Sequence, residues 1–244
     1  MQHRFENDKN FDIINRWEQE FMYIQPSIIA RSNRKTLSIT VTRGGEVVVK
    51  APHKLPMSEI NIFVAEKQPW IQEKLSRINK TISDNSDVLN YQKLMLFGQK
   101  YSGYRSQTAK EITFDSDRIL IPTKIKDEHL LKKLKAWYKS YAHDVLKERL
   151  LYIEEKIRLK SKSFKISDTR GRWGSCNSSG EININFRVIM LPPNIIDYVL
   201  VHELSHLLEM NHSKNFWATV GKILPAYSDF RRQIKQYAYL LELF

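Results

Sequence analysis

The chain has 244 residues, 42% hydrophobic and 27% charged, enough apolar material for a full core and too ordinary a mixture for a disordered or fibrous protein. A single cysteine, Cys176, excludes an internal disulfide framework, and no apolar run reaches the roughly 20 residues of a membrane span. With 39 Lys and Arg against 27 Asp and Glu the net charge is +12, which favours acidic or polyanionic partners over cationic ones.

The first ten residues, 1–10, are polar and lack the apolar core of a secretory leader, so a cytoplasmic location is expected. Leu37, Ile39 and Val41 then alternate with polar residues, Gly44-Gly45 offers a tight turn, and Val47 and Val49 alternate back, which is a hairpin signal. A helix is predicted from Ser58 with Ile60, Phe63, Val64 and Ile71 on its apolar face, and Pro69 is expected to kink or split it. Strand-like pieces follow at 94–97, 111–114 and 118–121, closed by Pro122. Residues 1–125 therefore read as a β-rich region with one helix, and 126–244 as a second domain. The boundary is soft, because no Gly/Ser linker marks it.

From Asp127 to about residue 160 the pattern is helical, with Lys132, Lys133, Lys135 and Lys139 opposite an apolar face of Leu131, Leu134, Tyr138, Tyr141 and Val145. Ile182, Ile184 and Phe186 alternate with Asn183 and Asn185 as a strand with one polar face. Pro192-Pro193 suits a helix start, and Ile195, Ile196, Val199, Leu200, Leu204, Leu207 and Leu208 continue at helical spacing. Asn211 can end that helix, and Ser213 reads as the N-cap of the next, which carries Phe216, Trp217, Val220, Ile223 and Leu224.

The chemistry is concentrated where that first helix ends. Three of the seven histidines fall within the eleven residues from His202 to His212. His202 and His206, four apart in His-Glu-Leu-Ser-His, project from one helix face and can share a metal ion, zinc being the usual occupant. Glu203 then stands where such sites keep a general base beside metal-bound water. His212 falls in the turn and can swing back as a third ligand. Glu209, three residues after His206, is its rival; the break at Asn211, which reorients His212, favours the histidine. The spacing from His206 to His212 equals that of the metzincin motif, but Glu209 occupies the place of its turn glycine.

A family resemblance extends beyond the motif. Residues 167–176 read Ser-Asp-Thr-Arg-Gly-Arg-Trp-Gly-Ser-Cys, followed by Glu-Ile-Asn-Ile-Asn-Phe-Arg, Leu-Pro-Pro, Ile-Asp-Tyr-Val, the His-Glu-Leu-Ser-His segment, Asn-His-Ser, Phe216-Trp217 and Pro225-Ala226-Tyr227. With Arg34-Lys35-Thr36, Gly44-Gly45, Ala51-Pro52, and Trp70-Ile71 before Lys74, this resembles the YgjP-like metallopeptidases, zincins related to the WLM and SprT-like groups, over nearly the whole chain after about residue 25. The departure is Gly171, where relatives commonly carry a larger polar residue. The resemblance implies an α+β fold: a zincin-like metallopeptidase core, its active-site helix packed on a small mixed sheet, behind an N-terminal β-rich region. It also implies one zinc held by His202, His206 and His212, with Glu203 catalytic.

The expected activity is therefore hydrolysis of peptide bonds by a Glu-activated, zinc-bound water, with manganese or iron as other candidate metals. Arg170 and Arg172 are candidates for stabilising an oxyanion or binding a carboxylate or phosphate, and Tyr227 for a transition-state hydrogen bond. Asn183 and Asn185 lie on a candidate edge strand for an extended peptide. Cys176 reads as a small buried apolar residue. Peptide, protein or nucleotide substrates, and nucleic acid on the basic surface, are the candidate partners; a membrane is not. One alternative is a nucleotide pyrophosphatase on the same metal, although neither a P-loop nor a carboxylate cluster is present. The other is a nucleic-acid-binding module with structural zinc.

Overall fold

In a computed structural model the described residues are 23–244, so the polar segment 1–10 lies outside them. The chain divides into two compact units, the first ending at Asp84 and the second running from Asn85 to Phe244.

In the first unit the hairpin expected around Gly44-Gly45 is β2 (Ser38–Val41) against β3 (Val47–Pro52), antiparallel, with Gly45 at φ +85°. A strand that periodicity did not reveal, β1 (Ile28–Ser32), runs parallel to β3 on its other side. The single helix expected from Ser58 is split near Pro69 into α1 (Met57–Glu66) and α2 (Gln68–Asp84). Val47, Val49 and Ala51 from the sheet meet Ile60, Val64 and Ile71 from these helices in the unit's core.

The second unit begins some forty residues before the expected boundary near 125. The physical reason is that the strand-rich stretch packs on the following helix. β4 (Leu94–Leu96) pairs with β5 (Gln99–Tyr101), and β6 (Gly103–Ser106) and β7 (Thr113–Asp115) flank β8 (Arg118–Pro122). Leu94, Ile119 and Ile121 share a core with Leu134, and the Tyr138 hydroxyl donates to the Met95 carbonyl at 2.9 Å. These partners lie on the long α4 (Asp127–Ile157); a single turn, α3 (Ser86–Leu89), precedes the strands. The buried stripe of α4 is Leu134, Tyr138, Ala142, Leu146, Leu150 and Ile153, at spacings of three and four. Leu131, expected on that face, is 46% exposed, because the stripe of four-residue steps runs back from Leu134 to Leu130, which packs in that core instead.

A mixed sheet completes the frame, ordered β10-β11-β9. β11 (Glu181–Asn185) lies between parallel β9 (Ser163–Ser167) and antiparallel β10 (Gly174–Cys176). Ile182 and Ile184 point into the core with Phe186, Val188, Ile189 and Met190 of the 3-10 turn that follows. Onto this core pack α5 (Pro193–Ser205), α6 (Lys214–Ile223) and the short α7 (Tyr227–Gln233). The fold is α+β, as expected. Among the described residues no helix is long and apolar enough to cross a membrane.

Candidate metal centre

α5 is fixed at both ends. Pro192 caps it and Pro193 fills its first turn, where a missing N–H is harmless. Gly98, at φ +79°, lies so close that a Cβ there would sit 2.7 Å from Pro192 Cγ, so only glycine fits. At the other end the Ser205 hydroxyl donates to the Val201 carbonyl at 2.7 Å, and regular helix stops one residue before the second histidine. The His206 N–H closes a tighter turn onto the Glu203 carbonyl. After the turn, the Ser213 hydroxyl accepts from Phe216 N–H at 3.2 Å, which is the expected N-cap of α6. The reversal carries His212 back over the end of α5.

The three imidazoles converge. One ligand nitrogen from each of His202, His206 and His212 lies within 4.8 Å of the others, and the Nε2 atoms of His202 and His212 face each other at 3.0 Å. His206 turns Nδ1 to the Glu209 carbonyl at 3.0 Å; a proton on Nδ1 donates there and leaves the Nε2 lone pair for the cluster. Glu209 thus orients His206 through its backbone, and its carboxylate is not in the converging group. Beneath the cluster lies fully buried Phe216, whose ring centroid is 5.0, 4.5 and 4.8 Å from those of His202, His206 and His212.

Electrostatics favour the neutral form of two of these rings, His202 and His212. Burial, then His206, His212 and Arg231, depress the His202 pKa to about 3; burial, His206 and Arg231 lower that of His212. Two neutral imidazoles whose Nε2 atoms face each other at 3.0 Å suit a shared divalent cation, which neutral nitrogen donors bind well. The donor set therefore fits such a metal.

Glu203 is 5% exposed and its Oε2 is buried without a hydrogen-bond partner. Burial pushes its pKa up to about 8, against the opposing field of Arg172. Strand β10 crosses directly above it: a Cβ on Gly174 would stand 2.6 Å from Glu203 Oε1. Gly174 was not singled out in the sequence, although a glycine inside a strand pattern is the signal for such a close approach.

The remaining candidates separate. Arg172 is exposed and its field acts on Glu203, whereas the field of Arg170 acts on buried Arg187. Asn183 and Asn185 belong to a central strand, not an edge: β11 is paired on both sides, which leaves it no free edge for a peptide. Asn185 is fully buried, donating through Nδ2 to the carbonyls of Thr169 and Arg172 and so shaping the loop that carries Arg172. The strand edge beside Glu203 is that of β10, which among the described residues pairs with β11 alone. Tyr227 stacks on Trp217 at 5.4 Å, and Trp217 stacks on His212 at 5.6 Å, so Tyr227 reaches the centre only through that ring. Cys176 is half-buried, its thiol pKa raised by burial and by Glu203, the opposite of an activated nucleophile. Arg231, whose guanidinium lies 4.3 Å from the Trp217 ring centre, was missed, because nothing local links it to the motif.

The YgjP-like family, described by its metallopeptidase domain, matches residues 35–237. The chain belongs to the YgjP-like family. Its membership makes it a metallopeptidase-domain protein and agrees with the converging histidines. The crystal structure of the metallopeptidase zymogen of Pyrococcus abyssi abylysin is similar to 36% of this chain and 90% of its own, at 22% identity and a TM-score of 0.34. None of the curated proteins matches.

Proposed function

We propose that this YgjP-like protein is a zinc-dependent peptidase, with His202, His206 and His212 holding the metal and Glu203 as general base. The observation that carries this reading is the pairing of three convergent imidazoles with a buried, unpartnered carboxylate on the same helix. A divalent cation bound there supplies Lewis-acid polarisation of a carbonyl and makes water more acidic.

The chain's own residues supply the rest. Glu203, on the residue next to His202, accepts a proton from attacking water and returns it to the leaving amine. Its apolar surroundings keep it basic enough for the first transfer, and Arg172 favours its charged form. Phe216 and the Glu209 carbonyl hold the imidazoles in place, so little reorganisation accompanies the reaction. The test is Glu203→Gln in metal-replete protein. Elemental analysis is expected to find close to one zinc per chain, with peptide hydrolysis lowered by about 10²–10⁴-fold. Wild-type turnover in that variant overturns the role of Glu203.

A further inference from the structure

Two cations near the metal centre have no carboxylate partner among the described residues. Arg172 precedes by two residues Gly174, where a Cβ would stand 2.6 Å from Glu203 Oε1; Arg231, on α7, lies over Trp217, whose ring centre is 5.6 Å from that of His212. Both are exposed. The contrast with their neighbours is informative. Arg232 is answered by Asp229 at 2.8 Å and Arg149 by both oxygens of Asp197 at 2.7 Å, yet neither Arg231 nor Arg172 has such a pair.

Arg231 is also held in place. Its guanidinium lies 4.3 Å from the Trp217 ring centre, and the Trp217 ring runs near-parallel to those of His212 (5.6 Å, 27°) and Tyr227 (5.4 Å, 15°). A planar cation resting on a fixed aromatic ring loses little freedom when it binds, and its donor edge suits the two oxygens of a carboxylate. An arginine left without its counter-charge beside a reaction centre is a recognition group for an anion brought by the substrate.

We infer that Arg231 selects substrates carrying a carboxylate within a residue or two of the scissile bond. The inference rests on the peptidase reading and specifies its substrate class. The carboxylate has two sources, an internal Asp or Glu side chain or the free C-terminus of a short peptide.

The test uses metal-replete, full-length protein and fluorogenic peptides that differ only in Glu against Gln next to the cleavage site, all C-terminally amidated. A second set is neutral throughout and compares a free with an amidated C-terminus. Wild type is expected to favour one charged set by at least tenfold in kcat/KM, and whichever set shows the preference identifies the source. Arg231→Ala and Arg231→Gln are expected to bring that ratio close to one, and Arg231→Lys to retain part of it. Arg231→Glu is expected to transfer the preference to the matched peptide bearing Lys. A ratio near one in wild type, or unchanged in Arg231→Ala and Arg231→Gln, overturns the inference. Binding of the same peptides to zinc-loaded Glu203→Gln protein, read by fluorescence anisotropy, separates this from failure of the peptidase reading. If wild type cleaves no peptide, that reading falls, but at least tenfold tighter binding of the carboxylate peptide, lost in Glu203→Gln/Arg231→Ala, still upholds recognition; equal binding overturns it.

Discussion

Arg187 and Glu203 are charged residues buried in the same unit, and their surroundings differ. The Arg187 guanidinium donates to the Leu243 carbonyl at 2.9 Å and to Asn185 Oδ1 at 3.2 Å, and pairs with Asp168 at 3.0 Å; Asp168 in turn takes Lys135 at 2.7 Å and Lys139 at 3.0 Å. Glu203 keeps a buried carboxylate oxygen, Oε2, with no partner. Burying a polar group without a hydrogen bond is expensive, so a fold that completes one cluster and leaves the other open has reserved the second for something it binds. The comparison teaches where to look for chemistry: at the buried polar group that lacks a partner.

The largest test of that contrast is Asp168→Ala. Removing the counter-charge of a fully buried arginine is expected to lower stability by about 3 kcal/mol, read by guanidinium unfolding. A loss below about 1 kcal/mol would show that the Leu243 and Asn185 acceptors satisfy Arg187 without it. On the open side, Gly174→Ala places a methyl group against the Glu203 carboxylate and is expected to cut turnover roughly a hundredfold while zinc is retained, since small displacements of a catalytic group are costly. Unchanged turnover would mean that Glu203 does not need its present position.

The pH dependence of stability in chelator-treated protein should separate the clusters by sign. Burial alone would raise the Asp168 pKa, but hydrogen bonds from Lys135 and Lys139 and the field of Arg187 bring it down from 3.8 to about 2. Its contribution, about 2 kcal/mol, is complete above pH 3.8 and is lost as pH falls through 2. Glu203 runs the other way: raised by burial from 4.5 to about 8, its contribution is complete below pH 4.5 and is lost as pH rises through 8. Subtracting the Asp168→Asn profile from wild type should isolate the acid-side loss, and subtracting Glu203→Gln the alkaline-side loss. Differences of the same sign would remove the distinction. The smallest effect is expected from Ser213→Ala, which removes the α6 cap and should cost about 1 kcal/mol in thermal unfolding.

What the sequence disclosed was local. The His-Glu-Leu-Ser-His spacing, Pro192-Pro193, the Ser213 cap, the Gly45 turn and the break near Pro69 each lie within a few residues of the structure they specify. What it hid was pairing at a distance. Ile28–Ser32 carries no periodic signal for a parallel partner twenty residues on, and alternation in 182–186 looks the same in a central strand as at an edge. The unit boundary at Asp84 was invisible because it depends on Leu94, Ile119 and Ile121 packing against Leu134. Arg231 becomes relevant only once Trp217 brings it beside His212.

Phe216 lies against all three converging imidazoles at once, so the order of the centre is inherited from the body of the protein. The loss of ring freedom that would otherwise weaken ion capture has already been met when the chain folds. Affinity for the ion is thereby coupled to the integrity of Lys214–Ile223. Fraying of that segment on heating would release the ion while the rest of the unit is still intact.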